Sequence, residues 1–187
     1  MVSPAPSPPR ALKRILIDID ELAGRVQELG RRITADYAGR QPVLVGVLTG
    51  AVVFMADLIR AIDGPLQCEF IGVSSYGSTS RSSGIVKITA DLTVSIEGRE
   101  VLIVEDIIDT GRTISYLRRN LETRHPESLR ICTLLDKIER REVPVDLDYV
   151  GFTIPNEFVV GYGLDHAGLY RNLPYLAALD LGDHGRE

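Results

Sequence analysis

Long apolar runs, basic clusters and cysteine are all scarce in this sequence. No hydrophobic stretch approaches the ~20 residues that a membrane span needs, so no membrane segment is expected. The stretch Met1–Arg10 is rich in Pro and Ser and lacks an apolar core, so it is not expected to be a secretory signal. Residues 1–11 and 183–187 are expected to be disordered tails. The formal net charge is −5, with no block of Lys and Arg, which argues against a nonspecific nucleic-acid binder. An acidic chain still holds a highly phosphorylated ligand when backbone amides and a divalent cation supply the positive potential. Cysteine occurs twice, at Cys68 and Cys132. Each lies inside an apolar run, and the two read as buried thiols in a reducing, cytoplasmic compartment rather than as a disulfide. With no CxxC and no HExxH, no zinc site is implied.

What is there is the composition of an ordinary soluble protein: 187 residues, 44% hydrophobic and 25% charged. Residues 12–182 are expected to form one domain. No internal repeat is visible. After a short apolar segment at 15–19, Leu22, Val26, Leu29 and Ile33 recur at helical spacing, which predicts an amphipathic helix over 21–37. Pro42 precedes "VLVGVL" at 43–48, a run of buried-strand length. Thr49-Gly50 interrupts it, and residues 51–62 carry Val52, Met55, Ile59 and Ile62 along one helical stripe. Further strands are expected at 67–73, 85–88, 101–104, 129–135, 149–152 and 158–160, with a helix over 113–124 facing Ile114, Leu117 and Leu121 inward. Strands alternating with helices, several of them apolar throughout, predict an α/β fold with a mainly parallel sheet covered on both faces. Ligands of such sheets sit beyond the carboxyl ends of the strands, which directs attention to the turns after Leu48, Val104 and Leu135.

The decisive stretch is "VLIVEDIIDTGRT", 101–113. An apolar strand is expected to end in two adjacent carboxylates, Glu105 and Asp106. Asp109, Thr110, Gly111, Arg112 and Thr113 then lead into a helix. A glycine and two threonines there make an anion cradle of converging N–H groups and hydroxyls, favoured by the helix dipole. Capping of the helix by Asp109 or Thr110 would explain one residue of the set. It would not explain two carboxylates at the end of a buried strand, where charge is costly unless a ligand or metal offsets it.

This stretch resembles the signature by which type I phosphoribosyltransferases bind 5-phosphoribosyl 1-pyrophosphate (PRPP), and in detail the hypoxanthine-guanine branch of that family. The resemblance extends over roughly residues 12 to 180. It implies the family's fold, a mainly parallel sheet flanked by helices with a small hood for the base. It also implies an enzyme of purine salvage that joins hypoxanthine or guanine to PRPP with one or two Mg²⁺ ions, for which Mn²⁺ can substitute. By the resemblance, Glu105 and Asp106 hold the ribose hydroxyls and Mg²⁺-linked waters, and the 109–113 loop takes the 5-phosphate. Asp109 lies near N7 of the base as general acid/base. Leu48-Thr49-Gly50 matches the pyrophosphate loop, which in the family contains a non-proline cis peptide. Many relatives carry Lys at this position, so only the backbone role carries over to Thr49 and Gly50. The segment 74–84, "SSYGSTSRSSG", matches a mobile lid with Ser75 and Tyr76 at its start. Lys137 is positioned to donate to an exocyclic oxygen, Phe158 to stack on the purine and Val159 to present backbone groups to its edge. Asp165 matches the acid anchoring the second Mg²⁺, and Arg171 the arginine that contacts pyrophosphate. His166 stands where relatives often have Tyr and has no assigned role. Homodimers or homotetramers are expected.

Taken singly these residues have plainer readings: Thr49-Gly50 as a turn, Phe158 as core, Lys137 as a surface lysine, Arg171 as an ion-pair partner. Two rival functions also stand. One is the same fold acting on another base. The other is a PRPP-sensing regulator, which would need a DNA-binding domain or a basic RNA-binding face; about 40 residues before the first core strand and a negative net charge leave little for either.

Overall fold

The computed structural model describes residues 12–75 and 86–180. The expectations for the two tails, for Tyr76 and for lid residues 76–84 lie outside the described residues. In chain order the elements are β1 (Leu12–Ile17), α1 (Ile19–Asp36), β2 (Val43–Leu48), α2 (Val52–Ala61), β3 (Gln67–Ser75), β4 (Val86–Ala90), β5 (Glu100–Ile108), α3 (Arg112–Glu122), β6 (Ser128–Asp136), β7 (Tyr149–Thr153), β8 (Val159–Val160) and β9 (Leu176–Leu179). Among the described residues, no helix is long and apolar enough to cross a membrane.

A six-stranded sheet runs in the order β4-β3-β2-β5-β6-β7, with every neighbouring pair parallel except β3 and β4. Strand β2 and the Val101–Val104 stretch of β5, at its centre, are apolar throughout because both faces are covered. On β2 and β5, Leu44, Leu102 and Val104 join the core formed with α1 and α2. Their neighbours Val43, Val45, Val101 and Ile103 join the core under Ile114, Leu117 and Leu121 of α3. The period-2 alternation of a strand thus survives inside a run with no polar residue to mark it.

Helix α1 begins at Ile19, two residues before the periodic apolar positions suggest. The reason is a capping box: Glu21 N donates to Asp18 Oδ1 at 2.9 Å, and Asp18 N donates to Glu21 Oε2 at 3.1 Å. A second departure matters more. Strand β5 does not stop at Val104. Its pairing with β2 ends at Gly46–Val104, while its pairing with β6 continues to Ile108–Asp136. Glu105 and Asp106 therefore sit inside the strand, where it has lost one neighbour and kept the other.

A separate three-stranded antiparallel sheet, β1-β9-β8, forms a hood. The sequence pattern did not mark β1 or β9 as strands. Leu12–Ile17 is mostly exposed and carries Lys13 and Arg14, and Leu176–Leu179 is half alanine, so neither reads as a buried strand. They are strands because they pair with each other.

Two glycines of α1 test the packing. Glycine inside a helix costs about 1 kcal/mol relative to alanine. Gly24 is exposed with nothing within 4 Å of a would-be Cβ, whereas a Cβ at Gly30 would overlap the backbone of Ala61 in α2. Gly24→Ala should stabilise by roughly 0.5–1 kcal/mol. Gly30→Ala should destabilise by roughly 1–3 kcal/mol, since α1 and α2 must separate. Urea unfolding of both variants checks this; shifts of the same sign would contradict the close helix approach.

Candidate active site

Three chain exits meet at the carboxyl ends of the sheet. The first is β5 with Glu105 and Asp106. Glu105 is 8% exposed, and its Oε2 is buried without a hydrogen-bond partner. Burial, and then the neighbouring Asp106, push the Glu105 carboxyl well above the usual carboxylate range. Burial pushes Asp106 up to about 6, against the opposing effect of its hydrogen bond from Ile107 N at 2.8 Å.

The second exit is the turn after β2. The Leu48–Thr49 peptide is cis. Gly50 follows so close to β5 that a Cβ there would overlap the Asp106 carboxylate. The third is the hood turn at 161–171. Gly163, with φ +101°, lies against the carbonyl of Gly50, where again a Cβ would not fit. Arg171 Nη1 donates to the Gly163 carbonyl at 2.5 Å, and Arg171 Nη2 stands 2.6 Å from Asp165 Oδ1. The other Asp165 oxygen accepts from Gly168 N at 2.7 Å. Thr49, Gly50, Asp165 and Arg171, distant in sequence, are thus gathered beside Asp106. The pairing of Arg171 with Asp165 is the plainer role for that arginine, and it places both side chains at the site.

The loop from β5 to α3 surrounds a cavity of about 90 Å³ lined by Glu105, Asp109, Thr110, Gly111 and Thr113 among others. Gly111 has φ +83° and is the N-cap of α3, with no side chain of its own to cap the helix. The Thr110 hydroxyl accepts from Arg112 N, the first N–H of α3, at 3.4 Å, and Asp109 is not spent as a cap. Arg112 turns its guanidinium to Glu142, 2.6 Å away, so its part in the loop is played by the backbone.

Lys137 lies immediately after β6, beside the end of β5. It is not a surface lysine. Only 7% of it is exposed, and its N donates to the Ile108 carbonyl at 3.0 Å. Burial lowers the pKa of its amine, opposed by the negative charge of Asp109. Phe158 is 39% exposed, with the His166 ring edge-on at 5.3 Å and 86°. Val159 pairs with Ala178, and the flanking bond runs from Leu179 N to the Phe158 carbonyl. That pattern makes Val159–Ala178 a non-hydrogen-bonded pair, so the N–H and C=O of Val159 point away from β9, toward the open edge of the hood sheet. Sequence reasoning assigned nothing to the run 140–143, which the structure lays against the 109–112 loop.

Residues 12–167 match the family model for the phosphoribosyl transferase domain, and the chain belongs to that family. Within it, the chain is similar to hypoxanthine-guanine phosphoribosyltransferases. The one from Mycobacterium avium is 52% identical over 183 residues, covering 95% of this chain and 90% of that protein. A hypoxanthine phosphoribosyltransferase structure from Staphylococcus aureus superposes with TM-score 0.87 at 47% identity, covering 90% of this chain and 92% of that one. The bifunctional protein TilS/HprT of Listeria innocua is 55% identical over 168 residues, 90% of this chain; the match spans about a quarter of that longer protein, 26%. The α/β fold with a mainly parallel sheet and a small hood is the one expected from the sequence.

The buried acids make a stability prediction for the ligand-free protein. Folding raises both carboxyl pKa values, so the folded state holds more protons than the unfolded one above pH about 4. Stability from these groups is then greatest at low pH and is lost as pH rises through about 6. The double replacement Glu105→Gln/Asp106→Asn should raise Tm at pH 8, with the gain shrinking toward pH 5. A gain that stays constant across that range would contradict the assignment.

Proposed function

We propose that this chain transfers the ribose 5-phosphate of PRPP to hypoxanthine or guanine, giving IMP or GMP and pyrophosphate, as a purine-salvage enzyme. The observation that carries the proposal is the meeting of the 109–113 anion loop with a buried lysine whose amine feels Asp109. The similarity to named hypoxanthine-guanine phosphoribosyltransferases supports the same reading.

In this reading the loop at Thr110–Thr113 binds the 5-phosphate through backbone N–H groups and hydroxyls. Thr49 and Gly50 offer backbone to the pyrophosphate, and Arg171 offers charge. Lys137 donates to the 6-oxo group, the outward-facing backbone of Val159 meets the base edge, and Phe158 stacks on the ring. Asp109 accepts the proton from N7 as the bond from the base nitrogen to C1′ forms and the bond to pyrophosphate breaks. Ser75 and Tyr76, at the start of a lid over 74–84, would exclude water from the reacting carbon.

Among the described residues, no three His, Cys, Asp or Glu side chains converge as a ready metal cage. The donors nevertheless fit Mg²⁺ carried in by the ligand: Glu105 keeps a buried oxygen without a partner, and Asp106 lies beside it. These two would hold the ribose hydroxyls and metal-linked waters, and Asp165 a second ion, with Mn²⁺ able to replace Mg²⁺. The cation would offset the charge of the pyrophosphate group. Two free cysteines accord with a cytoplasmic setting. Assembly as a dimer or tetramer belongs to the same proposal and is checked by light scattering.

The deciding assay is turnover with PRPP, Mg²⁺ and a panel of purines and pyrimidines. Hypoxanthine and guanine should be used, EDTA should abolish turnover, and activity confined to adenine, orotate or uracil would overturn the proposal. Asp109→Asn should lower kcat by about 10²-fold or more while PRPP still binds; a fall of less than about fivefold would refute the base assignment. Lys137→Gln should lower kcat/KM for hypoxanthine and narrow its gap over adenine. An ammonium only donates, whereas an amide can turn to present either a donor or an acceptor.

A further inference from the structure

We propose that Arg140 is a positioning residue for the transfer: it takes one oxygen of Asp109 and thereby leaves the other turned toward the base. The proposal rests on the reading of Asp109 as general base. Arg140 Nε stands 3.1 Å from Asp109 Oδ1, and that oxygen is shut off from solvent without an aligned hydrogen bond. The side chain of Asp109 is nonetheless 40% exposed, so its accessible surface lies on its remaining atoms, at the cavity it lines. An acceptor with one oxygen occupied and one open is what a single incoming N–H requires.

The mounting of Arg140 explains how it stays there. It ends the 3₁₀ turn Ile138–Arg140 that follows Lys137, with its N donating to the Lys137 carbonyl at 3.1 Å. Beyond it, Glu142 N and Val143 N both donate to the Thr110 carbonyl at 3.0 Å. Glu142 pairs with Arg112, Arg141 forms a buried pair with Asp136, and the Val143 carbonyl and Arg141 stem close over Gly111. The segment carrying Arg140 is therefore tied to the loop carrying Asp109 at each of three successive residues. A pair this exposed contributes little to stability, so its effect is one of orientation.

Lys137 makes that orientation necessary. Its buried amine interacts with Asp109 and is repelled by Arg140. Without Arg140, Asp109 and Lys137 are free to pair with each other, which removes the donor for the 6-oxo group and the acceptor for N7 together.

The test compares Arg140→Gln, Arg140→Lys, Asp109→Asn and the Asp109→Asn/Arg140→Gln double variant in steady-state turnover of hypoxanthine and PRPP. Arg140→Gln should lower kcat about tenfold, as expected for a misaligned reacting group. KM for PRPP should stay within about twofold, since phosphate binding is left intact. Arg140→Lys should recover most of kcat, and Tm should be unchanged in both. In the Asp109→Asn background, adding Arg140→Gln should change kcat less than about twofold, because the group it acts through is gone. Equal losses in both backgrounds, a loss confined to KM for PRPP, or no recovery with lysine would each overturn the proposal. Should Asp109→Asn turn over too slowly for the comparison, the lysine recovery and the kcat–KM split decide alone. If Asp109→Asn itself keeps most of the activity, it is the general-base reading that fails, whatever Arg140 does.

Discussion

Two adjacent carboxylates held out of water at one point of the sheet set the conditions for everything around them. Glu105 is buried and Asp106 half-buried where β5 continues along β6 after parting from β2 at Val104. Where the two ladders diverge, a fissure opens, and only backbone without side chains fits into it. Gly50 enters from β2 and Gly163 from the hood, each at a distance that a Cβ would forbid. The hood is thereby seated on the sheet through the site itself. Arg171 completes the arrangement, since its charge lowers the pKa of Asp106 while Asp165 raises it. Unpaired buried charge is expensive, and the raised carboxyl pKa values of Glu105 and Asp106 are its signature.

Much of this was legible in the sequence, for identifiable reasons. The parallel sheet could be read because its central strands are apolar on both faces, which only a doubly covered sheet requires. The site could be read where residue type and spacing are jointly restrictive, as in the 101–113 stretch. What escaped was set by pairing rather than by local pattern. The ends of β5 depend on two neighbours stopping at different places, and no residue of β5 announces that. Strands β1 and β9 owe their conformation to one another. Arg140, Arg141 and Glu142 look like a solvated charged run until the fold lays them along the 109–112 loop.

The site is also built from two kinds of part. The side formed by the Leu48–Gly50 turn and the 161–171 hood turn rests on close-packed glycines and an arginine bonded to main chain. The other side carries side chains just after β6 and just before β8, of which Lys137 is buried and Phe158 is 39% exposed. His166 meets the edge of Phe158, so a replacement there bears on ring orientation.

One consequence follows from the alternation of hydrogen-bonded and open pairs in the hood. Val159 turns its peptide groups outward because of the register between β8 and β9, not because it is valine. Under the proposed reading, recognition through those groups is insulated from most point mutations: any residue except proline that keeps the strand keeps the same donor and acceptor on display. Inherited variation can then retune the pocket only through its side chains. A change in which peptide groups face that edge would require the strand to slip by a residue, which would put Val160 in the place of Val159.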